Sequence, residues 1–512
     1  MKSVLYFSLL LVAALVLRLY AVFELKKGFS NDESVTYLTA TGNQVRYANL
    51  ANPDSIYLNS VMKTNVWKDC YISHPKFCFN KIASGLSHYD IHPPLYFWLM
   101  HIFVLLFGLH LYTGLILNLL ISVLTLFALY KLALYVFNDT SQSLLVCTIW
   151  FLSPAVVQMD LEARHYQLFA LFSILVSYSA LIILNNRKTD KKNLFLLVLY
   201  STLGLLTHYY FSFVLSGLFV LFLIRFKLTR ITFQLAFSFL LSYGLFILIF
   251  SDFITFIKGY FSNKGSVRHA HEFQSLIDKI KTQLYATLDF GSFGHLIKYV
   301  YLLLLILLIG AVINKIVKKK LFGSFLSMKN IHIIIILFLW NSLFTVLFYM
   351  ANVSPNQAVG EQYYSYIWPF FAIILVYAIS FLNISVWITY SYMLLLFVFC
   401  FQSIKHSDYL HSEIPSSWYD EANKSDLIVI DSYDRCMLPR ILYFINNEKD
   451  IFVGDIHKLK DPESYNNIVV MYLIKKSNNH QEQFNLPFHV LNGTEKYSDT
   501  DKDFYFIDSY VK

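Results

Sequence analysis

The sequence predicts a polytopic α-helical membrane protein of about eleven spans, ending in a small α/β domain outside the bilayer. Three observations carry that prediction. Of 512 residues, 56% are hydrophobic, 18% aromatic and only 14% charged, which is roughly half the charge of an ordinary soluble domain. Apolar stretches of about 16 to 22 residues recur through residues 1–402, the length a helix needs to cross a hydrocarbon core. Charge is also divided: residues 403–512 hold 12 Lys/Arg against 18 Asp/Glu, a net of −6, so the chain total of +8 leaves +14 on residues 1–402. The excess positive charge sits in short loops between apolar stretches. Membrane topology imposes that distribution, and nucleic acid is not implied as a partner.

The first apolar stretch, 3–23, follows one lysine. It is too long for a signal-peptide core, contains Arg18 and is followed by no small-residue cleavage site, so it reads as a retained span. The basic short loops 185–192, 225–230 and 315–329 are assigned to the cytoplasm. Parity then orders spans 111–137, 144–159, 166–184, 194–207, 211–224, 231–250, 296–313, 331–350, 367–382 and 384–402, with the N-terminus inside and the tail outside. Loops 24–92 and 251–295 and the turns 160–165 and 207–210 fall on the outer face. The apolar stretch 93–109 has no room to cross without inverting every later loop. It opens with two prolines and carries His101 and several aromatics, which suits an interfacial or re-entrant helix at the end of an outer loop spanning 24–110.

Beyond 402 the pattern changes. Residues 426–431, 450–456, 466–474 and 503–510 are short β-rich runs, and 434–447 has a helical pattern. Residues 1–402 and 403–512 are therefore expected to form a membrane domain and an extracytoplasmic α/β domain. The tail has no glycine-rich phosphate loop, metal cluster or nucleophile motif, so recognition or stabilisation is its expected part. Cys147 and Cys400 lie in apolar spans, where packing explains them. Cys70 and Cys78 stand in the polar first loop and can pair if that loop faces an oxidising compartment.

Ionisable residues gather at outer span ends. Asp32 and Glu33 open the first outer loop. Asp32 is placed to cap a helix running from Ser34; alternatively, one carboxylate acts as a general base while its neighbour orients or pairs with another group. Asp90 and His92 precede Pro93 and Pro94 where the interfacial helix begins, and Asp90 can serve as an ordinary cap there. In the turn 160–165, Arg164 offers a planar fork suited to a phosphate oxygen, or else snorkels with Glu162 as its partner. His208, Tyr209, Glu361 and Tyr363 mark further outer ends, where aromatic belts are common. Arg268, His269, His271 and Glu272 are ligand-type residues, but their spacing matches no known metal site, and a solvated loop accounts for them.

Taken in order, these pieces resemble the protein O-mannosyltransferase and aminoarabinose-transferase group of membrane glycosyltransferases (fold superfamily C). The matching stretches are Leu17-Arg18-Leu19, Asp32-Glu33, Asp90-Ile91-His92-Pro93-Pro94-Leu95-Tyr96, Glu162-Ala163-Arg164-His165-Tyr166, Thr207-His208-Tyr209-Tyr210 and the tyrosine-rich run before Pro369. They span roughly residues 10–380. The resemblance implies a polyprenyl-phosphate monosaccharide donor and inverting transfer, with a hydroxyl of lipid, glycan or protein as acceptor. The topology puts the site on the outer face, and richness in Lys, Ile and Asn points to a bacterial inner membrane. The resemblance also implies Asp32 as base, with Glu33 beside it, and Arg164 on the donor phosphate. His92 and Tyr166 are candidate phosphate contacts; Asp90, His208, Tyr209, Glu361 and Tyr363 are supporting candidates. No cofactor or resident metal is predicted, with a divalent ion left open. One departure stands out: many relatives have Arg-Tyr where this chain has Gln362-Tyr363.

Two other readings compete. An oligosaccharyltransferase of the same superfamily is expected to show Asp-x-Asp in the second outer loop and Trp-Trp-Asp in its tail, and neither occurs here. A lipid-linked-sugar flippase is expected to place polar or broken helices at mid-membrane, often in two related halves. No internal repeat is visible, and the ionisable residues lie at one face.

Overall fold

The structure is a computed structural model, and it describes residues 2–71, 76–90, 92–255, 257, 330–352, 361–381, 384–407, 409–410, 416–431, 437–475, 489–498 and 503–511. The span expected at 296–313, the basic loop 315–329 and the residues Arg268, His269, His271 and Glu272 lie outside the described residues. The chain forms two compact units. One is made of residues 1–21, 91–96 and 115–407; the other of 22–90, 97–114 and 408–512.

The first unit is helical. Helix Lys2–Tyr20 packs against Thr140–Leu152 and Val386–Lys405, and Trp368–Phe381 packs on Thr140–Leu152 as well. Tyr166–Asn186 is the most enclosed of the long helices and lies against Lys191–Leu205 and Phe211–Phe226. Asn330–Asn352 bridges Phe211–Phe226 to Trp368–Phe381. Among the described residues, five helices are long and apolar enough to cross a membrane, with a sixth if Thr140–Leu152 and Pro154–Asp160 count as one bent span. That bend of 64° falls at Ser153, where the following proline removes a helical donor and disfavours helical backbone before it. Leucines, phenylalanines and Trp387 stand exposed along Lys2–Tyr20, Arg230–Ile249 and Val386–Lys405. So much outward apolar surface is unsuited to water and is what a lipid-facing helix presents. The protein is an integral membrane protein. Helix Leu95–Phe107, where the interfacial helix was expected, has 13 residues.

The second unit is built on a six-stranded sheet: β1 (Val61–Lys63), β2 (Leu427–Asp431), β3 (Asp450–Val453), β4 (Asn467–Lys475), β5 (His489–Ser498) and β6 (Asp503–Val511), in the order β1-β3-β2-β4-β6-β5. β2 runs parallel to both β3 and β4, and β6 pairs antiparallel with β4 and β5. Alternation decides what each face buries. Ile428, Ile430, Ile451, Val453, Val469 and Met471 join a core with Leu438, Ile441 and Leu442 of helix Met437–Phe444. Leu427, Val429, Phe452, Ile468 and Val470 fill the opposite face. The edge strand β1 comes from the first loop, far away in sequence, and pairs antiparallel with β3. Leu38, Tyr47 and Trp67 from the same loop complete the larger core.

Cys70 and Cys78 are free thiols, both buried. The pairing considered for them is not formed: the Cys78 thiol instead donates to the Thr41 carbonyl at 3.5 Å.

Candidate active site

In the second unit, helix Asn31–Ala40 begins at Ser30, not at Asp32. Ser30 Oγ accepts from the Glu33 backbone N–H at 3.2 Å, and Glu33 Oε2 accepts from the Ser30 N–H at 2.8 Å, a reciprocal capping box. The sequence S-N-D-E contains that signature, which outranks Asp32 as cap because both partners are satisfied at once. Glu33 is fully buried and also accepts from Lys26 Nζ at 2.5 Å; Lys26 in turn donates to the Tyr409 carbonyl. The Glu33 carboxylate is thus committed to structure. Asp32, one position earlier, is half-buried in the first turn, where the helix dipole favours its charge. Arg440 Nη1 donates to Asn31 Oδ1 at 2.5 Å, tying that turn to helix Met437–Phe444. Asp90 is the C-cap of Phe79–Tyr89 and is half-buried.

In the first unit a second group assembles around the turn 160–165. The turn is pinned from below: Arg18 Nε donates to Asp160 Oδ2 at 2.6 Å, and Gln167 Nε2 donates to Asp160 Oδ1 at 2.6 Å. Ser122 Oγ donates to the same oxygen as Gln167 does. The Arg18 guanidinium also lies 3.8 Å from the Phe151 ring centroid and donates to the Phe151 carbonyl at 2.5 Å. Asp160 was expected in a water-facing turn; it is instead wholly buried, as a carboxylate with three donors can be. Asn118 holds the other side. Its amide donates to the Met159 carbonyl at 3.1 Å and to the Glu162 carbonyl, while its Oδ1 accepts from Tyr96 Oη at 2.9 Å.

On this platform His92, His165 and His208 come together. The ring centroids lie 4.6 Å apart for His92 and His165, 5.1 Å for His165 and His208, and 6.4 Å for His92 and His208. Tyr166 is 4.4 Å from His165, and Phe169 stacks on His208 at 4.7 Å. Gly204 lets the turn carrying His208 close, since a Cβ there would meet Phe211 Cζ at 2.2 Å. The Tyr210 N–H donates to His208 Nδ1 at 3.0 Å, so the neutral His208 ring carries its proton on Nε2. Burial, reinforced by the charges of His92, His208 and Arg164, holds the His165 pKa well below the ordinary histidine value. Burial, then His92 and Arg164, does the same to His208. Arg164 itself is nearly buried. Two histidines held neutral beside an arginine leave a cationic, aromatic-walled group suited to an anion.

Of the sequence candidates, His92, Arg164, Tyr166, His208 and Tyr363 belong to this unit and gather here, Tyr363 lying 6.0 Å from Tyr166 and 6.4 Å from His208. Tyr209 turns its ring to Phe253 at 5.6 Å; Tyr210 is the neighbour that meets His208 at 4.7 Å and Tyr363 at 5.8 Å. Glu361 opens the short helix Glu361–Tyr364, and its side chain lies outside the described residues. Asp32, Glu33 and Asp90 belong to the other unit. Sequence reasoning passed over Asn118 and His165 as site residues. A lone amide within the apolar run 111–137 was the available signal for the first. Among the described residues, no group of three His, Cys, Asp or Glu is placed to hold a metal ion.

Residues 91–256 match the family model described as dolichyl-phosphate-mannose-protein mannosyltransferase. That stretch contains His92, Asn118, Asp160, Arg164, His165 and His208, and excludes Asp32. No curated protein matches the chain. Among solved structures, ArnT from Cupriavidus metallidurans in the apo state is similar over 98% of this chain and 97% of that one, with a TM-score of 0.53 at 10% identity. The same protein bound to undecaprenyl phosphate gives a TM-score of 0.50 at 12% identity, with the same coverage. The fold is therefore that of the ArnT structures, and, with the family model that matches residues 91–256, the resemblance drawn from the motifs is borne out.

Proposed function

We propose that this protein is an inverting glycosyltransferase that moves a sugar from a polyprenyl-phosphate carrier to a hydroxyl acceptor on the outer face of the membrane. The observation that carries this reading is the cluster of Arg164, His92, His165, His208 and Tyr166, which lies wholly within the stretch matching the mannosyltransferase family model. It supplies cationic and hydrogen-bonding groups for a phosphate, and the structurally similar ArnT has been seen with undecaprenyl phosphate bound.

In this reading the acceptor oxygen attacks the anomeric carbon, the bond from that carbon to the phosphate oxygen breaks, and its electron pair stays with the departing phosphate. Asp32 takes the acceptor proton, a part left to it because the Glu33 carboxylate is held by Lys26 and Ser30. Arg164, with His92 and Tyr166 beside it, holds the phosphate and stabilises the charge that grows there. A single displacement needs only one such base, unlike the carboxylate pair of a glycosidase. The eleven-span arrangement, with N-terminus inside and tail outside, and a bacterial inner membrane as its location, belong to the same proposal, as does a division of labour between residues 1–402 and 403–512.

Detergent-solubilised protein given polyprenyl-phosphate sugar and candidate acceptors tests transfer directly. A flippase has no second leaflet to serve in a micelle, so donor cleavage there supports the transferase; binding without cleavage for every acceptor class favours transport. Transfer of a whole oligosaccharide in preference to a monosaccharide would favour the oligosaccharyltransferase reading.

A further inference from the structure

His165 belongs to the phosphate cluster without a role of its own in the transfer, yet it is the most enclosed of the three histidines. It is fully buried, and among the described residues neither ring nitrogen has a hydrogen-bond partner. A buried imidazole left without partners sacrifices the hydrogen bonds it makes in water, so native structures seldom keep one without a reason. The groups facing it are His92 from the segment before Leu95–Phe107, Tyr96 from the first turn of that helix, His208 from the turn 207–210, and Arg164 and Tyr166 from its own turn and helix. His208 is disqualified as a proton acceptor at Nδ1, because that nitrogen already accepts the Tyr210 N–H. His165 has both nitrogens available.

We propose that His165 takes up a proton when the transfer raises the charge on the carrier phosphate, forming an imidazolium that pairs with the phosphate dianion. This rests on the donor reading above. A polyprenyl-phosphate sugar is a phosphodiester with one negative charge. Cleavage of the bond between the anomeric carbon and the phosphate oxygen leaves the electron pair on that oxygen, giving a monoester with two. The acceptor hydroxyl releases one proton to the base, and His165 gains one from the buffered solution, so protons and charge balance. Burial and the Arg164 charge keep the ring neutral, and a second negative charge beside it opposes both, because opposite charge in a desolvated site favours the protonated ring. His165 thereby stabilises the product side of the step, and its deprotonation accompanies carrier release.

Calorimetry at pH 8 in buffers of different ionisation enthalpy tests this, with undecaprenyl phosphate as the dianion and its methyl phosphodiester as the monoanion. At that pH a phosphate monoester, with a second pKa near 6, is already a dianion. Wild type is expected to take up about one proton on binding the monoester and none on binding the diester, while His165→Gln loses the uptake and His208→Gln retains it. A thermal melt of each variant verifies its fold. Should His165→Gln fail to fold, wild type alone remains decisive: between pH 7.5 and 9, affinity for the monoester relative to the diester should fall by up to about tenfold per pH unit. Absence of uptake in wild type, its survival in His165→Gln, or a flat affinity ratio overturns the inference and leaves the donor reading standing. Failure of both lipids to bind removes the donor reading, and the inference with it.

Discussion

Arg18 and Asp160 lie 142 residues apart and meet through a 2.6 Å contact between Nε and Oδ2, with both side chains wholly buried. The pair joins the first helix to the turn that carries Arg164 and His165. Removing one member strands a buried charge, which costs about 3–5 kcal/mol, whereas replacing both with apolar residues of similar size is often far better tolerated. Arg18→Met and Asp160→Leu are each expected to lower the melting temperature sharply in detergent, and the double variant to recover much of the loss. Equal and additive losses would show that the two do not act as a pair.

Glu33 and Asp32 should separate cleanly. Glu33→Ala removes the partner of Lys26 and half of the capping box, with an expected cost of about 3 kcal/mol. It should reduce activity only as far as it reduces the folded fraction. Asp32→Asn should leave the melting temperature nearly unchanged while abolishing turnover. Thermal melts and activity, read on the same preparations, distinguish the two.

Asn118→Leu deletes donors to the Met159 and Glu162 carbonyls and the acceptor for Tyr96. Losing these hydrogen bonds costs about 0.5–1.5 kcal/mol each, and the turn holding Arg164 loses its register. Weaker binding of undecaprenyl phosphate, together with a lower melting temperature, is the expected outcome.

Stability should also depend on pH. The pKa values of His165 and His208 are lowered in the folded protein, so the unfolded chain binds more protons than the folded one as pH falls through the ordinary histidine range. The stability they contribute is complete above about pH 6.5 and is lost progressively below it. Melting temperatures of the lipid-free protein measured from pH 7.5 to 5.5 should therefore decline, with a shallower slope in His165→Gln.

Cys70 is held by burial at a pKa of about 12, and burial raises that of Cys78 as well. Thiolate is the reactive form, so neither should react with maleimide in the native protein and both should after denaturation. Rapid native labelling would contradict the burial seen here.

Much of this was legible in the sequence where a pattern is long. Apolar runs gave the helices Thr113–Phe137, Tyr166–Asn186 and Arg230–Ile249 to within a few residues, and β-rich runs marked β2, β3, β4 and β6. Short-range geometry was not legible. Tyr209 and Tyr210 are adjacent, and only the turn after Gly204 decides which of them faces His208. The edge strand Val61–Lys63 has three residues, too few for any periodicity, and its identity depends on a partner nearly four hundred positions away. His165 looked like one residue of a motif; its significance is a matter of burial and of missing partners, which sequence does not record.

The most direct test is release of polyprenyl phosphate by the purified protein, supplied with a polyprenyl-phosphate sugar and a panel of lipid, glycan and protein hydroxyl acceptors. Wild type should release the carrier in step with glycosylation of one acceptor class, and Asp32→Asn and Arg164→Ala, each still folded by thermal melt, should lose at least about a hundredfold in rate. Donor that stays intact with every acceptor, while still bound equally by wild type and both variants, would contradict the glycosyltransferase account.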